Sequence, residues 1–540
     1  MIFPRPKHIQ LGARHPLTET LLVFCNDAPS KNALPALGEM APYLAYSRTE
    51  DQSKATMTLS VIPGRFPQNE AYEMTVRDGK IEVRAKDYRG LINAFATLVG
   101  LTSFEADTVM LPEAEISDFP DAAFRSFMTD PARNLVPMDE TRALILSMAK
   151  AKLNKLHLHL SDSTGFCYES RTQLPTSPGG KYSKEDLKEI IRYAGLFGID
   201  VIPEIDFPGH GYALTKMYPN LKCRVPGKEV STWNLCLGNE ECYALIDELL
   251  AELAEIFPYE YIHLGTDEIH MEDIGPDIMS PPPISHSEEC ECCNAFFAPL
   301  GLATLRERFY WFVRRVYATV TSLGKKLIVW NDDIDISKSP DLPRDILIEF
   351  WRVAAERRGP VEGCSMQRFL EEGFEVINAD FPNTYVDEYV EWSKLKKWNF
   401  RTEPADSTAC PHAVLGGEMC AWEGSNYPHY SYALYFAMPA FGDRLWNTAP
   451  IPDGGEATAA LTRTSLGADT PDGTDLFLHM ADVPLGTAQL WTAPIFPSAD
   501  DAEEAVRLLG CLKHQSDDER HLTKSLLDQA KKVIDAYDDV

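Results

Sequence analysis

The sequence has no run of about 18 apolar residues of the kind a membrane-spanning helix needs, so residence in a bilayer is not expected. It is also short of positive charge: Lys and Arg number 51 against 81 Asp and Glu, a net charge of −30. A nucleic-acid backbone would be repelled by such a surface unless the basic groups were segregated, and they are not. The amino terminus, Met1-Ile2-Phe3-Pro4-Arg5-Pro6-Lys7-His8, lacks a charged start followed by an apolar stretch and a cleavage site, so the chain reads as cytoplasmic. Twelve cysteines in 540 residues are too sparse for a disulfide scaffold, and those in apolar strings such as Leu21-Leu22-Val23-Phe24-Cys25 behave as small hydrophobes. The one dense group, Cys290, Cys292 and Cys293 with His286 upstream, invites a zinc reading but matches no paired knuckle and has no second half. It is read as a loop of reduced thiols, and neither a metal nor a cofactor is expected.

What is present is an ordinary globular composition, 44% hydrophobic and 24% charged, over enough chain for a large core. From residue 124 onward, short apolar or β-branched runs alternate with helical patterns, the signature of repeated βα units. The runs are Phe124 to Met128, Lys155 to Leu160, Asp200 to Ile205, Tyr261 to Gly265, Lys326 to Trp330, Ile346 to Phe350, Phe374 to Ala379 and Ala413 to Gly417. Between them lie helical stretches such as Ser183 to Leu196, opened by a Ser183/Asp186 capping box, and Tyr243 to Ile256. Eight such units predict an α/β fold, a closed (β/α)8 TIM barrel over residues 119–450. Residues 1–118, with runs at Thr56 to Val61 and Lys80 to Val83 and a helix over Tyr88 to Leu101, predict a small α+β domain. Residues 451–540 predict an extension, partly helical over Asp500 to Leu512 and Leu522 to Tyr537.

A closed parallel barrel gathers the carboxyl ends of its strands on one face, so polar residues that follow each run share a cleft. The chain places Asp130 and Arg133 after the first run and His157, His159 and Asp162 along the second. Glu204 to His210 follow the third, His263 to Glu268 the fourth, Trp330 to Asp333 the fifth, Trp351 and Arg352 the sixth, Asp380 the seventh, and Glu418 to Trp422 the eighth. One acid after a strand commonly caps the next helix, and one tryptophan is as often core as ligand. Eight strand ends in succession are a different matter. Acids and tryptophans around one mouth suit a sugar, whose apolar face stacks on indole while carboxylates hold its hydroxyls.

Asp267 and Glu268 are neighbours, and neighbours on a strand point to opposite faces, so both reach one ligand only if the chain bends where the strand stops. Gly265 permits that bend. Side by side, the two cannot flank a scissile bond as the carboxylates of ordinary glycosidases do. A division in which one protonates the leaving oxygen and the other steers a nucleophile supplied by the substrate fits better.

The string Tyr261-Ile262-His263-Leu264-Gly265-Thr266-Asp267-Glu268 resembles the Asp-Glu motif of family 20 glycoside hydrolases, the β-N-acetylhexosaminidases. Arg125 with Asp130-Pro131-Ala132-Arg133-Asn134, His157 to Asp162, Glu204 to His210, and Gly416 to Trp422 resemble that family's first, second, third and eighth strand motifs, in order. The resemblance implies Glu268 as general acid and base, and Asp267 as the carboxylate that orients a 2-acetamido group and stabilises an oxazolinium intermediate. It implies Tyr385 on the acetamido oxygen, with Asp387 beside it, and Trp330, Trp351 and Trp422 as pocket walls. Arg133 would clamp ring hydroxyls, while Asp162, Asp206, His210 and His263 would support them. The chain departs from the family pattern at Thr266, where Gly is usual, at Ser163, and at Glu423-Gly424, which shifts the sugar-binding acid expected two residues past Trp422. The expected partner is therefore a glycan. Alternatives are a disaccharide-releasing or modified-sugar-specific relative, a non-catalytic glycan-binding barrel, and a double-displacement glycosidase pairing Glu268 with Glu204 or Glu418.

Overall fold

A computed structural model describes residues 1–269, 285–336, 341–351, 365–381, 383–386, 390, 392–402, 414–422, 437–467, 496 and 498–538. Eight parallel strands close into a barrel: β1 (Phe124–Thr129), β2 (Lys155–His159), β3 (Asp200–Glu204), β4 (Tyr261–His263), β5 (Lys326–Trp330), β6 (Leu347–Phe350), β7 (Val376–Asn378) and β8 (Val414–Ala421), the last pairing with β1. Each has its ends within four residues of a run read from the sequence, and β5 coincides with its run. The capping box at Ser183 and Asp186 opens the helix Lys184–Leu196, each side chain accepting from the other residue's backbone N–H.

Alternation along the strands fills the barrel in layers. The first inward layer is apolar, with Phe124, Ile202, Tyr261, Ile328, Leu347 and Ile377 in contact. Two residues further along the strands, the layer is polar and mostly ionisable: Ser126, His157, Glu204, His263, Glu349 and Glu418 are all buried. Above it Met128, Trp330, Trp351, Ala379, Tyr385 and Cys420 form an aromatic floor under the mouth, with Phe381 and Trp422 packed against it.

Ahead of the barrel, an eight-stranded mixed sheet, ending in the strand Thr108–Asp118, carries the helices Ala28–Met40 and Tyr88–Leu101. The first helix escapes a pattern search because Pro35 lies inside it, where proline ordinarily interrupts a helix. The sheet is fastened to the barrel by a fully buried ion pair, Lys152 Nζ to Asp118 Oδ2 at 2.8 Å, and by Trp446 Nε1 donating to Asp118 Oδ1 at 2.8 Å. Helices Gly455–Leu466, Ala499–Leu509 and Asp517–Asp538 follow the barrel. The last is held by Lys150 on the barrel helix Met138–Lys150, which reaches Asp518 at 3.0 Å and Glu519 at 2.6 Å. Among the described residues, no helix is long and apolar enough to cross a membrane.

Candidate active site

The carboxyl end of β4 makes the bend that the acid pair requires. The strand stops at His263, and Gly265, Thr266 and Glu268 all take positive φ (75°, 80° and 49°). At Gly265 nothing larger fits, since a Cβ would stand 2.0 Å from Asp206 Oδ1. Thr266, a β-branched residue in a region that glycine favours, carries strain instead. Its backbone N–H donates to Asp206 Oδ1 at 3.2 Å, while its buried hydroxyl has no partner. The loop after β5 takes up two amides further on: Glu268 N donates to Asp332 Oδ2 at 3.0 Å and Ile269 N to Asp333 Oδ2 at 2.9 Å.

The bend brings the two acids together. Asp267 Oδ2 lies 3.4 Å and Glu268 Oε2 3.8 Å from the same atom, His210 Nε2. His210 is tied on its other side to Asp162, Nδ1 to Oδ2 at 3.1 Å, and Asp206 Oδ2 stands 3.7 Å from its Nε2. Burial disfavours the imidazolium, but the Asp206, Asp162 and Asp267 carboxyls outweigh it, so the His210 pKa is well above the usual histidine range. Burial likewise opposes ionisation of Asp267, yet the facing imidazolium holds its pKa below the ordinary carboxylate value. Asp206 goes the other way, pushed well up by burial and then by the charge of Asp267. Of this pair, Asp267 is thus the more readily ionised and Asp206 the more readily protonated.

Arg133 follows β1 and lies between two carboxylates, donating to Asp130 Oδ2 at 2.7 Å and pairing with Asp162 Oδ2 at 2.8 Å. Its guanidinium stands 5.2 Å from the centre of the Trp422 ring, which places a fixed cation and an indole on one rim. Trp351 and Tyr385 stack at 6.1 Å and 23°, and Tyr385 and Trp422 approach at 6.3 Å. Trp351 is oriented by its indole N–H donating to Asp332 Oδ1 at 3.1 Å, so Asp332 serves both the tryptophan and the Glu268 amide. Trp330, 6.0 Å from Trp422, is almost fully buried with its N–H donating to Glu204 Oε1 at 2.9 Å, so only its ring face is available to a ligand.

Beneath this floor the charged layer is closed on itself. Glu204 is surrounded by imidazoles, with His263 Nδ1 at 3.0 Å, His157 Nε2 at 3.2 Å and His159 Nδ1 against it. Glu418 faces His157 Nδ1 at 2.9 Å and accepts from the Ser126 hydroxyl. These contacts exclude a double-displacement pairing of Glu268 with Glu204 or Glu418: both carboxylates are fully buried and engaged by imidazoles below the aromatic floor. The layer also fixes the ring of His159, which reaches Asp162 Oδ2 at 3.1 Å and so connects the barrel interior to the Arg133 and His210 clamps.

Every proposed site residue among those described gathers at this mouth or directly beneath it: His263 in the charged layer, Trp330, Trp351 and Tyr385 in the aromatic floor, and the rest around them. Asp387 lies outside the described residues, as do Glu423 and Gly424. Sequence reasoning missed Trp233, in the loop after β3, which donates Nε1 to the Glu268 carbonyl at 3.0 Å and packs its ring 4.4 Å from His210. Nothing in its local pattern distinguishes it from a core tryptophan. Sequence reasoning also missed Glu349, on the charged layer, which an alternating strand would ordinarily fill with an aliphatic residue. The fold also sets Cys223 and Cys236, from the loop after β3, beside Cys290 and Cys293, a proximity that their separation in the sequence hides.

The chain matches the family model "Glycosyl hydrolase family 20, catalytic domain" over residues 123–449 and "Glycosyl hydrolase family 20, domain 2" over residues 1–119. It is 25% identical over 399 residues to beta-hexosaminidase subunit A1 of Dictyostelium discoideum, covering 71% of this chain and 70% of that protein. It is 27% identical over 419 residues to a beta-hexosaminidase of Vibrio furnissii, covering 72% of this chain and 64% of that one. The alignments thus span about two thirds of these relatives' own length. In fold, it is similar to the GH20 exo beta-N-acetylglucosaminidase of Vibrio harveyi in complex with N-acetylglucosamine, with a TM-score of 0.72 at 21% identity over 86% of this chain and 76% of that one.

Proposed function

The chain belongs to glycosyl hydrolase family 20, and from that membership we infer that it is an exo-acting β-N-acetylhexosaminidase, releasing terminal β-linked N-acetylglucosamine or N-acetylgalactosamine from glycans with retention. The observation that carries this reading is the convergence of Asp267 and Glu268 on one nitrogen of His210, at 3.4 and 3.8 Å, at the barrel mouth. Two carboxyls so close serve one side of a bond, which suits a reaction whose nucleophile comes from the substrate.

In that reaction Glu268 gives its proton to the glycosidic oxygen as the acetamido carbonyl oxygen attacks the anomeric carbon. The bond to the leaving alcohol breaks, and an oxazolinium ring forms. Asp267, held ionised beside the His210 imidazolium, accepts the acetamido N–H and balances the positive charge that develops on the ring. The Tyr385 hydroxyl supports the acetamido oxygen, and the stacked Trp351 and Tyr385, with Trp422 and the Trp330 face, enclose the acetyl methyl. Glu268, now a carboxylate, takes a proton from water as that water attacks the same carbon and reopens the ring. Arg133, clamped by Asp130 and Asp162, sets a fixed positive charge where ring hydroxyls would lie.

Hydrolysis of p-nitrophenyl N-acetyl-β-glucosaminide and its galacto epimer tests the reading. Both kcat and kcat/KM should fall by about 10²–10⁴ in Glu268→Gln. An acetamido sugar that binds in a folded protein but is never turned over would replace the enzyme with a glycan-binding barrel.

A further inference from the structure

Four cysteine sulfurs meet in a buried cluster away from the acid pair. Cys236 Sγ lies 3.5 Å from Cys293 Sγ and 3.8 Å from Cys290 Sγ, and Cys223 Sγ lies 4.0 Å from Cys293 Sγ. All four ligand atoms fall within 4.8 Å of one another, and all four residues are buried. A disulfide requires about 2.05 Å between sulfurs, so none of these separations is a bond. A zinc ion bound tetrahedrally at about 2.3 Å from each thiolate sets its ligands about 3.8 Å apart, a value that the three separations of 3.5, 3.8 and 4.0 Å bracket.

We propose that Cys223, Cys236, Cys290 and Cys293 form a structural zinc site that ties the loop after β3 to the loop after β4. The ligands come two from each side. Cys223 follows the short 3-10 turn Pro219–Leu221, and Cys236 precedes the helix Glu240–Ile256. Cys290 and Cys293, spaced as C-x-x-C, cap and begin the helix Glu291–Phe297. The surrounding backbone is built for sulfur: Arg224 N donates to Cys290 Sγ at 3.3 Å, a contact that stabilises a thiolate. Gly238 lies so close that a Cβ there would stand 2.3 Å from Cys293 Cα. The nearby Cys292 is exposed and turned away, its Sγ donating to Gly238 O at 3.3 Å, and His286 Nδ1 faces Glu289 at 3.4 Å, so neither belongs to the set.

Loading exchanges four S–H bonds for four Zn–S bonds and releases four protons, with no change of oxidation state. Four protein sulfurs complete the coordination, leaving no position for water or substrate, so the ion holds structure and performs no chemistry. What it holds matters to the site. The β3 loop between Cys223 and Cys236 carries Trp233, which donates to the Glu268 carbonyl and packs on His210. The metal thereby clamps one wall of the acid pair from outside it.

The test is metal analysis of the full chain, expressed with added zinc and purified without a metal-affinity step. The site predicts about one zinc per chain that survives dialysis, and an X-ray absorption shell of four sulfurs at about 2.3 Å. Cys292→Ser should keep the metal, while Cys236→Ser and Cys293→Ser should lose it. Wild-type protein with less than about a tenth of a zinc per chain overturns the proposal. Iron in zinc's place, oxygen or nitrogen in the ligand shell, or a disulfide among the four in peptide mass spectra overturns it as well. Because the metal content and absorption spectrum of wild-type protein decide the matter, variants that fail to fold leave the result intact.

Discussion

At the scale of single residues, the site is governed by backbone conformation as much as by charge. The acids meet because Gly265, Thr266 and Glu268 occupy left-handed conformations in close succession. A threonine at φ 80° costs about 1–3 kcal/mol, and its buried hydroxyl gains nothing in return. Thr266→Gly removes that strain at the expense of about 0.5–1 kcal/mol of unfolded-chain entropy. Urea unfolding should find the variant more stable by up to about 2 kcal/mol. A loss of stability instead would mean that packing around the threonine outweighs its conformation. Charge then sets the roles. His210 holds the Asp267 pKa down, while burial and then the charge of Asp267 push that of Asp206 up. Only part of this was legible in the sequence: adjacency gave the need for a bend and Gly265 its means, but Thr266 and Glu268 carry no mark of positive φ.

At the scale of elements, β2, β3, β4, β6 and β8 each turn one charged side chain into the second layer of the barrel. The strands themselves were readable, since β-branched and apolar runs between helical patterns mark a parallel sheet whatever the inward residues do. The layer was half readable. His157, Glu204 and Glu418 stood out as polar residues in apolar runs, while Glu349, between Ile348 and Phe350, belongs to a run whose partners come from distant parts of the chain. Burial and then the charge of Glu418 push the Glu349 pKa up to about 8. From its ordinary 4.5 up to about 8, the folded state holds a proton that the unfolded chain has released. This group's contribution to stability therefore falls as pH rises through that window and levels off above it. Glu349→Gln, which mimics the protonated acid, removes the dependence. Between about pH 5 and about pH 8, wild type should lose up to ~4 kcal/mol of stability relative to Glu349→Gln. Parallel profiles would place the proton elsewhere in the layer.

At the scale of the whole molecule, the sheet domain and the helical extension brace the barrel from the side away from the reaction. Lys152 and Asp118 form an ion pair with no exposed surface, and Asp118 also accepts from the Tyr72 hydroxyl at 2.7 Å and from the Trp446 indole. Removing one partner of such a pair strands the other, at a cost of about 3–5 kcal/mol, whereas replacing both with apolar residues costs far less. Lys152→Met should therefore be strongly destabilising in thermal unfolding. Lys152→Met with Asp118→Leu should recover part of the loss. Equal losses for single and double variants would contradict this account of the interface. These pairings cross more than thirty residues in one case and more than three hundred in the other, which is why no local pattern announced them.

The central claim, that the substrate's own amide attacks its anomeric carbon while Asp267 and Glu268 cooperate from one side, meets its most direct test in a series of aryl glycosides. These would carry acetyl, fluoroacetyl, difluoroacetyl and trifluoroacetyl groups on the 2-nitrogen. Each fluorine withdraws electrons from the attacking carbonyl oxygen, so kcat/KM should fall steadily along the series, and the 2-hydroxy glucoside should not be turned over. Rates indifferent to fluorination, or ready hydrolysis of the 2-hydroxy compound, would contradict it.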